Sequence, residues 1–234
     1  MIKKLEENGA IVLCSGGLDS VVTANYVKKK LGYNKIIVLF FDYGQKTLFM
    51  ERKCSKMCAK DIGAEFNEIR IKELGGLSTS FINKNGKNKN GKDLKDTKKE
   101  SEQWYVPSRN LVFLSYALSL AESRFVKHGR KYDLFVGFKN EGKESYPDTT
   151  QEFLDKLNSV SRISCKYPVE IKAPLIKMDK EDIVLLGDKL GIDFRKTWSC
   201  YIGLKRHCGT CLNCRLRRAG FYWAGIEDVS SYSG

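Results

Sequence analysis

Three strand-length runs alternate with helix-length segments in the first third of the chain, and this alternation constrains the fold more than any other feature. The runs span residues 9–14, 35–41 and 65–71, and the segments between them span residues 18–31 and 46–62. The first two runs contain almost no polar residue, which is typical of strands that are buried on both faces of a sheet. Connections of this length suit right-handed parallel crossovers. The sequence therefore predicts an open α/β fold with a parallel sheet and flanking helices.

The alternation resumes after an irregular stretch. Residues 75–104 are polar and rich in Gly, Asn and Lys, so we expect a flexible insertion there, which would be disordered or act as a lid. We predict helices at 110–125, 149–161 and 179–190 and strands at 132–138 and 168–171, which brings the sheet to about five strands. Asp179 is the predicted N-cap of the last helix, with Asp182 as its capping partner.

Composition limits the classes of protein to which the chain can belong. The 234 residues are 42% hydrophobic and 29% charged, which is ordinary for a globular protein and too apolar for general disorder. No apolar run is long enough for a transmembrane helix, and the first residues lack the apolar stretch of a signal peptide. We therefore expect a cytoplasmic protein that does not associate with a membrane.

The net charge of +13 is a feature that nucleic-acid-binding proteins share. Much of the excess lies in the lysine-rich segment 84–99, which also contains Asn and Gly and has no aromatic residue. This composition favours a solvated loop, with a polyanion contact as the alternative. Charge alone therefore does not predict nucleic acid as a partner.

Four of the eight cysteines, Cys200, Cys208, Cys211 and Cys214, lie close together near the end of the chain. A tight cluster in a chain without a secretory signal indicates a metal site and not a set of disulfides. Four thiolates with no open position are typical of structural zinc, while an iron–sulfur cluster and simple buried thiols are the alternatives. We therefore divide the chain into an α/β domain (residues 1–196) and a small zinc-binding C-terminal region (residues 197–234).

The hexapeptide SGGLDS, residues 15–20, joins the first predicted strand to the first predicted helix. Its two glycines allow the backbone to approach a ligand, and the amides at a helix N-terminus favour an anion. The hexapeptide matches neither G-x-x-x-x-G-K-[ST] nor G-x-G-x-x-G. A phosphate site is the functional interpretation, and a tight turn with serine caps is the structural one.

SGGLDS resembles the pyrophosphate loop of the N-type ATP-pyrophosphatase superfamily. The resemblance implies an adenine-nucleotide alpha-hydrolase-like fold, ATP as a substrate and Mg²⁺ as a cofactor. It also implies that Asp19 lies near the pyrophosphate and the magnesium ion. In this superfamily a carbonyl or carboxylate group is activated by adenylation.

Further motifs narrow the resemblance. In chain order they are DYGQ (42–45), VPSRNL (106–111), YPD (146–148), WSCY (198–201) and CRLRRAGF (214–221). In this order, and across nearly the whole chain, they resemble the 7-cyano-7-deazaguanine synthase family of queuosine and archaeosine biosynthesis. That resemblance implies that ATP adenylates 7-carboxy-7-deazaguanine and that ammonia displaces AMP to give an amide. A second ATP then activates the amide oxygen, and loss of AMP leaves the nitrile.

The resemblance and the positions of these motifs also predict the site residues. Asp42 and Gln45 end a predicted strand, where open α/β sheets bind ligands, and Arg109 suits a carboxylate or phosphate. The predicted catalytic residues are Asp19, Ser20, Lys180 and Arg109. The predicted ATP-binding residues are Cys14, Ser15, Gly16, Gly17, Leu18, Asp19, Ser20, Asp42, Gln45 and Gly137. The predicted substrate-binding residues are Arg109, Asn110, Tyr146 and Asp148, and the zinc ligands are the four clustered cysteines. The resemblance further implies a homodimer.

The chain departs from the family pattern at the acceptor end of the predicted site. Ser108 replaces the glycine of VPGRN, residues 142–145 replace an Asp-aromatic-Ser-Gly run, and residues 149–150 are Thr-Thr where the family has Cys-Arg. Two enzymatic functions stay open: nitrile synthesis with ammonia, and conjugation of the activated deazapurine acid to a protein amine, as in relatives from antiviral operons. A non-catalytic, zinc-stabilised nucleic-acid-binding protein is the alternative from another class.

Overall fold

Five parallel strands form one sheet in the order β3-β2-β1-β4-β5. The computed structural model describes residues 8–83, 98–139, 146–202 and 205–233. The strands are β1 (Gly9–Leu13), β2 (Ile36–Asp42), β3 (Glu65–Arg70), β4 (Tyr132–Phe135) and β5 (Ile171–Lys172). The predicted open parallel α/β sheet is thereby confirmed.

The helices pack on both faces of the sheet. They are α1 (Leu18–Lys29), α2 (Leu48–Asp61), α3 (Lys72–Gly76), α4 (Lys98–Trp104), α5 (Arg109–His128), α6 (Gln151–Ser164), α7 (Lys180–Lys189) and α8 (Leu212–Ala224). Alternate residues of a strand point to opposite faces. Ile11 accordingly packs with Leu114 of α5, whereas Val12 packs with Val21 of α1 and Cys58 of α2. Both faces of β1 are therefore buried, as its apolar sequence predicts.

The order in which strands are added to the sheet reverses between β1 and β4. The chain builds outward from β1 through β2 to β3, then returns to the other side of β1 and continues through β4 to β5. Loops that follow neighbouring strands diverge at such a point, and the resulting crevice is where α/β sheets bind ligands. The predicted phosphate loop follows β1 and therefore lies at this crevice.

Several predicted boundaries differ from the structure. β4 ends at Phe135, although the Val136 N–H still donates to the Lys172 carbonyl of β5, and residues 136–139 line the crevice. β5 is Ile171–Lys172 and not residues 168–171. The segment predicted as an irregular insertion carries α4 at its end, where Trp104 is buried. Residues 84–97 and 142–145 lie outside the described residues, so the predicted disorder of the lysine-rich segment stays a prediction.

Arg217 anchors the C-terminal region to the preceding residues. Its side chain is 1% exposed and donates hydrogen bonds to the Thr197 hydroxyl, the Ser199 hydroxyl and the Phe194 carbonyl. The guanidinium also forms an ion pair with Asp228. A buried arginine of this kind is stable only with such a complete set of acceptors. It holds residues 194–199 against α8.

We predict that Ser108→Gly stabilises the fold. Ser108 has φ +54°, and among the described residues it is the non-glycine residue with a positive φ. The left-handed conformation costs an L-residue about 1–2 kcal/mol, and glycine avoids this cost. Glycine also makes the unfolded chain more flexible, which offsets part of the stabilisation. The net gain of about 1 kcal/mol corresponds to a rise in Tm of about 2–4 °C in calorimetry.

Ser115→Gly is the matched control, because Ser115 is exposed within α5 and has ordinary helical geometry. Glycine in a helix interior lowers stability by about 0.5–1 kcal/mol relative to alanine, so Tm should fall in this variant. An unchanged or lower Tm in Ser108→Gly would contradict the proposed backbone strain.

Candidate active site and metal centre

A cavity of about 290 Å³ lies at the carboxyl ends of β1 and β4. The loop after β1, the residues after β4, the start of α5 and residues 198–201 form its walls. Most of the sequence-predicted site residues line it: Cys14, Ser15, Gly17, Leu18, Asp19, Ser20, Arg109, Asn110, Gly137, Tyr146 and Lys180. The fold thus brings together residues that are widely separated in sequence.

The loop after β1 packs tightly on two neighbouring segments. Gly16 has φ +78°, and a Cβ atom there would lie 2.5 Å from the carbonyl oxygen of Glu51 in α2. The backbone N–H of Trp198 donates a hydrogen bond of 2.8 Å to the Gly16 carbonyl. Only glycine fits this position, because both the conformation and the available space exclude a side chain. The loop is therefore fixed against α2 and the C-terminal region.

Two serines and Gly17 make hydrogen bonds within the loop. The Ser20 hydroxyl donates to the Gly17 carbonyl at 3.0 Å, and the Gly17 N–H donates to the Ser15 hydroxyl at 3.3 Å. Helix α1 begins at Leu18, so its N-terminus lies at the cavity. The amides of a helix N-terminus favour an anionic ligand.

Asp19 and Lys180 form an ion pair in the cavity. The Lys180 ammonium lies 2.7 Å from each carboxylate oxygen of Asp19. Lys180 is the first residue of α7, where the backbone N–H of Asp179 donates to the Asp182 carboxylate, as predicted. Its side chain crosses α8 at Gly220, where a Cβ atom would lie 2.3 Å from the Lys180 Cγ. The Lys180 side chain therefore extends from α7 to the loop after β1, where its ammonium group contacts Asp19.

Arg109 places a further positive charge in the cavity wall. Its guanidinium donates to the Tyr43 hydroxyl at 3.4 Å, and its carbon lies 5.8 Å from the Tyr43 ring centre and 5.9 Å from that of Phe113. The buried Nε has no hydrogen-bond partner, and no carboxylate in the described part of the chain lies within ion-pair distance. A guanidinium with a buried, unsatisfied donor is suited to bind a carboxylate or phosphate.

Glu51 also lines the cavity, although no sequence pattern predicts it as a site residue. Its carboxylate accepts hydrogen bonds from the Thr47 hydroxyl and from the Gln45 side-chain amide. Burial raises the pKa of the Glu51 carboxyl, and these hydrogen bonds and the charge of Arg109 oppose that rise. Glu51 belongs to no motif, because only the packing of α2 on the loop reveals it.

Gly16 and three predicted ligand contacts with longer side chains bind protein groups and do not line the cavity. Asp42 accepts the Gly44 N–H and lies 3.4 Å from the Arg52 guanidinium. Gln45 accepts the Tyr43 N–H at 2.9 Å, and Asp148 accepts the N–H of Asn110 at 3.0 Å. Each side chain is buried. In this geometry Asp42, Gln45 and Asp148 hold the turns that present Tyr43 and Arg109.

The four clustered cysteines meet in space. Their sulfur atoms all lie within 4.8 Å of one another, and every one of the four residues is buried. The sulfurs of Cys208 and Cys214 are 3.9 Å apart. Zinc–sulfur bonds of about 2.3 Å in a tetrahedron separate the sulfurs by about 3.8 Å, so the residues fit one zinc ion.

Backbone amides and the position of the cluster support this assignment. The N–H groups of Ile202 and Cys208 donate to the sulfur of Cys200, each at 3.4 Å. Such donors favour the thiolate form that binds metal. Cys200 itself lines the cavity together with Tyr201. The cysteine cluster therefore forms part of the wall of the candidate active site.

None of the helices in the described ranges is both long enough and apolar enough to cross a membrane.

Comparison with known proteins shows a family. The family model described as "Queuosine biosynthesis protein QueC" matches residues 9–225. A 7-cyano-7-deazaguanine synthase from Methanothermobacter thermautotrophicus is 35% identical over 226 residues, which cover 95% of this chain and 98% of the relative. The corresponding synthase from Nitratiruptor sp. is 38% identical over 230 residues, with coverage of 95% and 98%.

A solved structure supports the fold. A 4-thiouridine synthetase in complex with RNA and bound ATP superimposes with a TM-score of 0.50 at 15% identity. The match covers 93% of this chain and 50% of that protein. At this identity the likeness concerns the fold alone, and it agrees with the predicted α/β fold.

We predict that Cys211→Ser removes zinc and destabilises the protein. The purified wild-type chain should contain one zinc ion per molecule, and a site of four thiolates contributes directly to folding. Elemental analysis should show loss of zinc in the variant, and thermal unfolding should show a lower Tm. Cys165→Ser is the control, since Cys165 lies outside the cluster at the end of α6. A metal-free wild-type protein of full stability would overturn the assignment.

Proposed function

The chain belongs to the QueC family of queuosine biosynthesis proteins, and from that membership we propose that it converts 7-carboxy-7-deazaguanine and ammonia to 7-cyano-7-deazaguanine, with ATP cleaved to AMP and pyrophosphate. The observation that carries the proposal is the pairing of two sites in one cavity. The Asp19–Lys180 pair lies at the loop after β1, and Arg109 lines the same cavity without a carboxylate partner among the described residues.

The chemistry requires activation of a carboxylate, which is a poor electrophile. In the proposed reaction the loop and the N-terminus of α1 bind the phosphates of ATP, and Lys180 neutralises part of their charge. Asp19 offers oxygen ligands of the kind that Mg²⁺ prefers. When bound, Mg²⁺ with Lys180 stabilises the pyrophosphate that leaves. The protein then acts mainly by positioning and by electrostatic stabilisation.

The part of the cavity around Arg109 suits the deazapurine acid. Arg109 would bind the carboxylate that is to be adenylated, because its guanidinium offers the donors that match such a group. Aromatic side chains of Tyr43, Phe113 and Phe138 line the same region. Flat, apolar walls of this kind bury a heteroaromatic ring. We propose Asn110 and Tyr146, which also line the cavity, as further substrate contacts.

We also propose that the four-cysteine centre holds zinc as a structural ion and that the enzyme is a cytoplasmic homodimer. All four thiolates would be ligands, so the ion would have no open position for a substrate. Its contribution to the reaction is then the placement of Tyr201 and Trp198 in the cavity wall.

Conjugation of the activated acid to a protein amine is the second candidate. One observation favours it: Thr149 lines the cavity at a position where the family pattern has cysteine. Both candidates share the adenylation step and differ in the amine that attacks. Mass spectrometry of products formed with and without ammonia separates them. The non-catalytic nucleic-acid-binding alternative is not favoured, because the relatives are synthases.

We predict that Asp19→Asn abolishes most of the release of AMP. The amide keeps the size of the side chain and a hydrogen bond to Lys180, but it loses the charge that holds Mg²⁺ and orients the pyrophosphate. Removal of one such stabilising group costs about 10²–10³-fold in kcat. AMP and pyrophosphate formation from ATP, 7-carboxy-7-deazaguanine and ammonia should fall by at least about a hundredfold.

Asp61→Asn is the control, because Asp61 forms a lysine pair of the same length with Lys196, 2.7 Å, outside the cavity. Its AMP release should equal that of the wild type. Release of ADP by the wild type would contradict adenylation, and full AMP release by Asp19→Asn would contradict the assignment of the loop.

A further inference from the structure

We propose that Glu51 is a catalytic residue that binds ammonium in the cavity and takes its proton, so that neutral ammonia attacks the activated acid. This inference rests on the proposed function and adds a residue and a step to it. The same step serves a protein lysine, which also reaches the site as a cation.

The reaction needs a group that handles a cation. Ammonia exists mainly as ammonium at neutral pH, and ammonium has no lone pair with which to attack a carbonyl carbon. A carboxylate both attracts the cation and accepts its proton. Among the described residues that line the cavity, only Asp19 and Glu51 carry carboxylates. Asp19 is paired with Lys180 and, in the proposed function, holds Mg²⁺ and orients the pyrophosphate, so Glu51 is the carboxylate that is left for this role.

Hydrogen bonds hold the Glu51 carboxylate and leave it acceptor capacity. One oxygen accepts from the Gln45 amide at 3.0 Å, and the other accepts from the Thr47 hydroxyl. Gln45 is itself fixed by the Tyr43 N–H and by the Phe41 carbonyl. A carboxylate has about four acceptor positions, so each oxygen can accept a further N–H donor. The group is therefore oriented before ammonium binds.

Glu51 contacts the loop after β1 and lines the same cavity as Arg109. Its backbone carbonyl packs on Gly16, which fixes its position relative to the loop. The charge of Arg109 also acts on the Glu51 carboxyl and lowers its pKa, against the larger effect of burial. The Arg109 guanidinium would bind the acid, and the Glu51 carboxylate would bind the ammonium ion. Each reactant thus lies beside a protein group of opposite charge.

Burial makes this carboxylate a better base than an exposed one. It raises the pKa of Glu51 from its usual value, which brings the carboxyl closer to neutral pH. A base with a higher pKa accepts a proton from a positioned ammonium more readily. The carboxyl of Glu51 therefore combines the location, the orientation and the basicity that the step needs.

The step balances as follows. The Glu51 carboxylate takes one proton from ammonium, and the freed lone pair forms a C–N bond to the acyl carbon of the adenylate. The C–O bond to the phosphate then breaks, and its electron pair leaves with AMP. The nitrogen loses its second proton to water, which gives the neutral amide. Glu51 returns its proton to water before the next turnover.

Hydroxylamine distinguishes this role from a structural one. Hydroxylamine is largely uncharged at neutral pH, so it attacks the adenylate without first losing a proton to the protein. In Glu51→Gln, ammonia-dependent amide formation should fall by about 10²–10⁴-fold, the range for a lost general base. Hydroxamate formation and acid-dependent exchange of pyrophosphate into ATP should each stay within about tenfold of the wild type, since neither uses the base.

Two further variants complete the experiment. Glu51→Asp keeps a carboxylate and should recover part of the ammonia-dependent rate, while Glu73→Gln, at an exposed position in α3, should match the wild type. Full ammonia-dependent activity in Glu51→Gln overturns the proposal. Equal loss with ammonia and hydroxylamine also overturns it, because Glu51 would then support activation or folding. Absence of acid-dependent exchange in the wild type would instead show that the proposed function is wrong.

Discussion

The close approach of the phosphate loop to α2 and to the C-terminal region is the constraint on which the site depends. Gly16 leaves no room for a side chain against the Glu51 carbonyl, and its own carbonyl accepts the Trp198 N–H. One residue thus joins the end of β1, the helix that carries Glu51 and the segment that leads into the cysteine cluster. Because these elements are rigid, the groups that line the cavity are held in place before any ligand binds.

The charges of the cavity are arranged for ligands that carry charge themselves. Lys180 is neutralised by Asp19 at the loop, whereas Arg109 has a buried donor without a partner among the described residues. The Arg109 guanidinium lines the cavity and has no carboxylate partner among the described residues, so its charge is available to an anionic ligand. The cysteine centre closes the same cavity through Cys200 and Tyr201, which couples metal binding to the shape of the site.

The sequence predicts those features that depend on local pattern. Apolar runs such as β2 and the glycines of SGGLDS indicate the parallel sheet and the loop at its edge, and the structure and the comparisons confirm the fold and the family. The local sequence pattern does not predict strand boundaries or residue roles that depend on tertiary contacts. The sequence of residues 132–138 predicts a longer β4 because residues 136–138 contain no polar side chain, yet these residues line the cavity. The role of Asp42 at a strand end depends on the turn that it binds. Glu51 has no sequence signal because its burial results from the packing of α2.

Transfer of oxygen from the acid to AMP tests the central claim most directly. 7-Carboxy-7-deazaguanine labelled with ¹⁸O in its carboxylate would be incubated with ATP, Mg²⁺, ammonia and the wild-type protein, and the nucleotide product analysed by mass spectrometry. Adenylation joins a carboxylate oxygen to the α-phosphorus, so the account predicts one ¹⁸O atom in each AMP molecule formed in the first step. Unlabelled AMP, or label recovered in inorganic phosphate with ADP as the product, would contradict it.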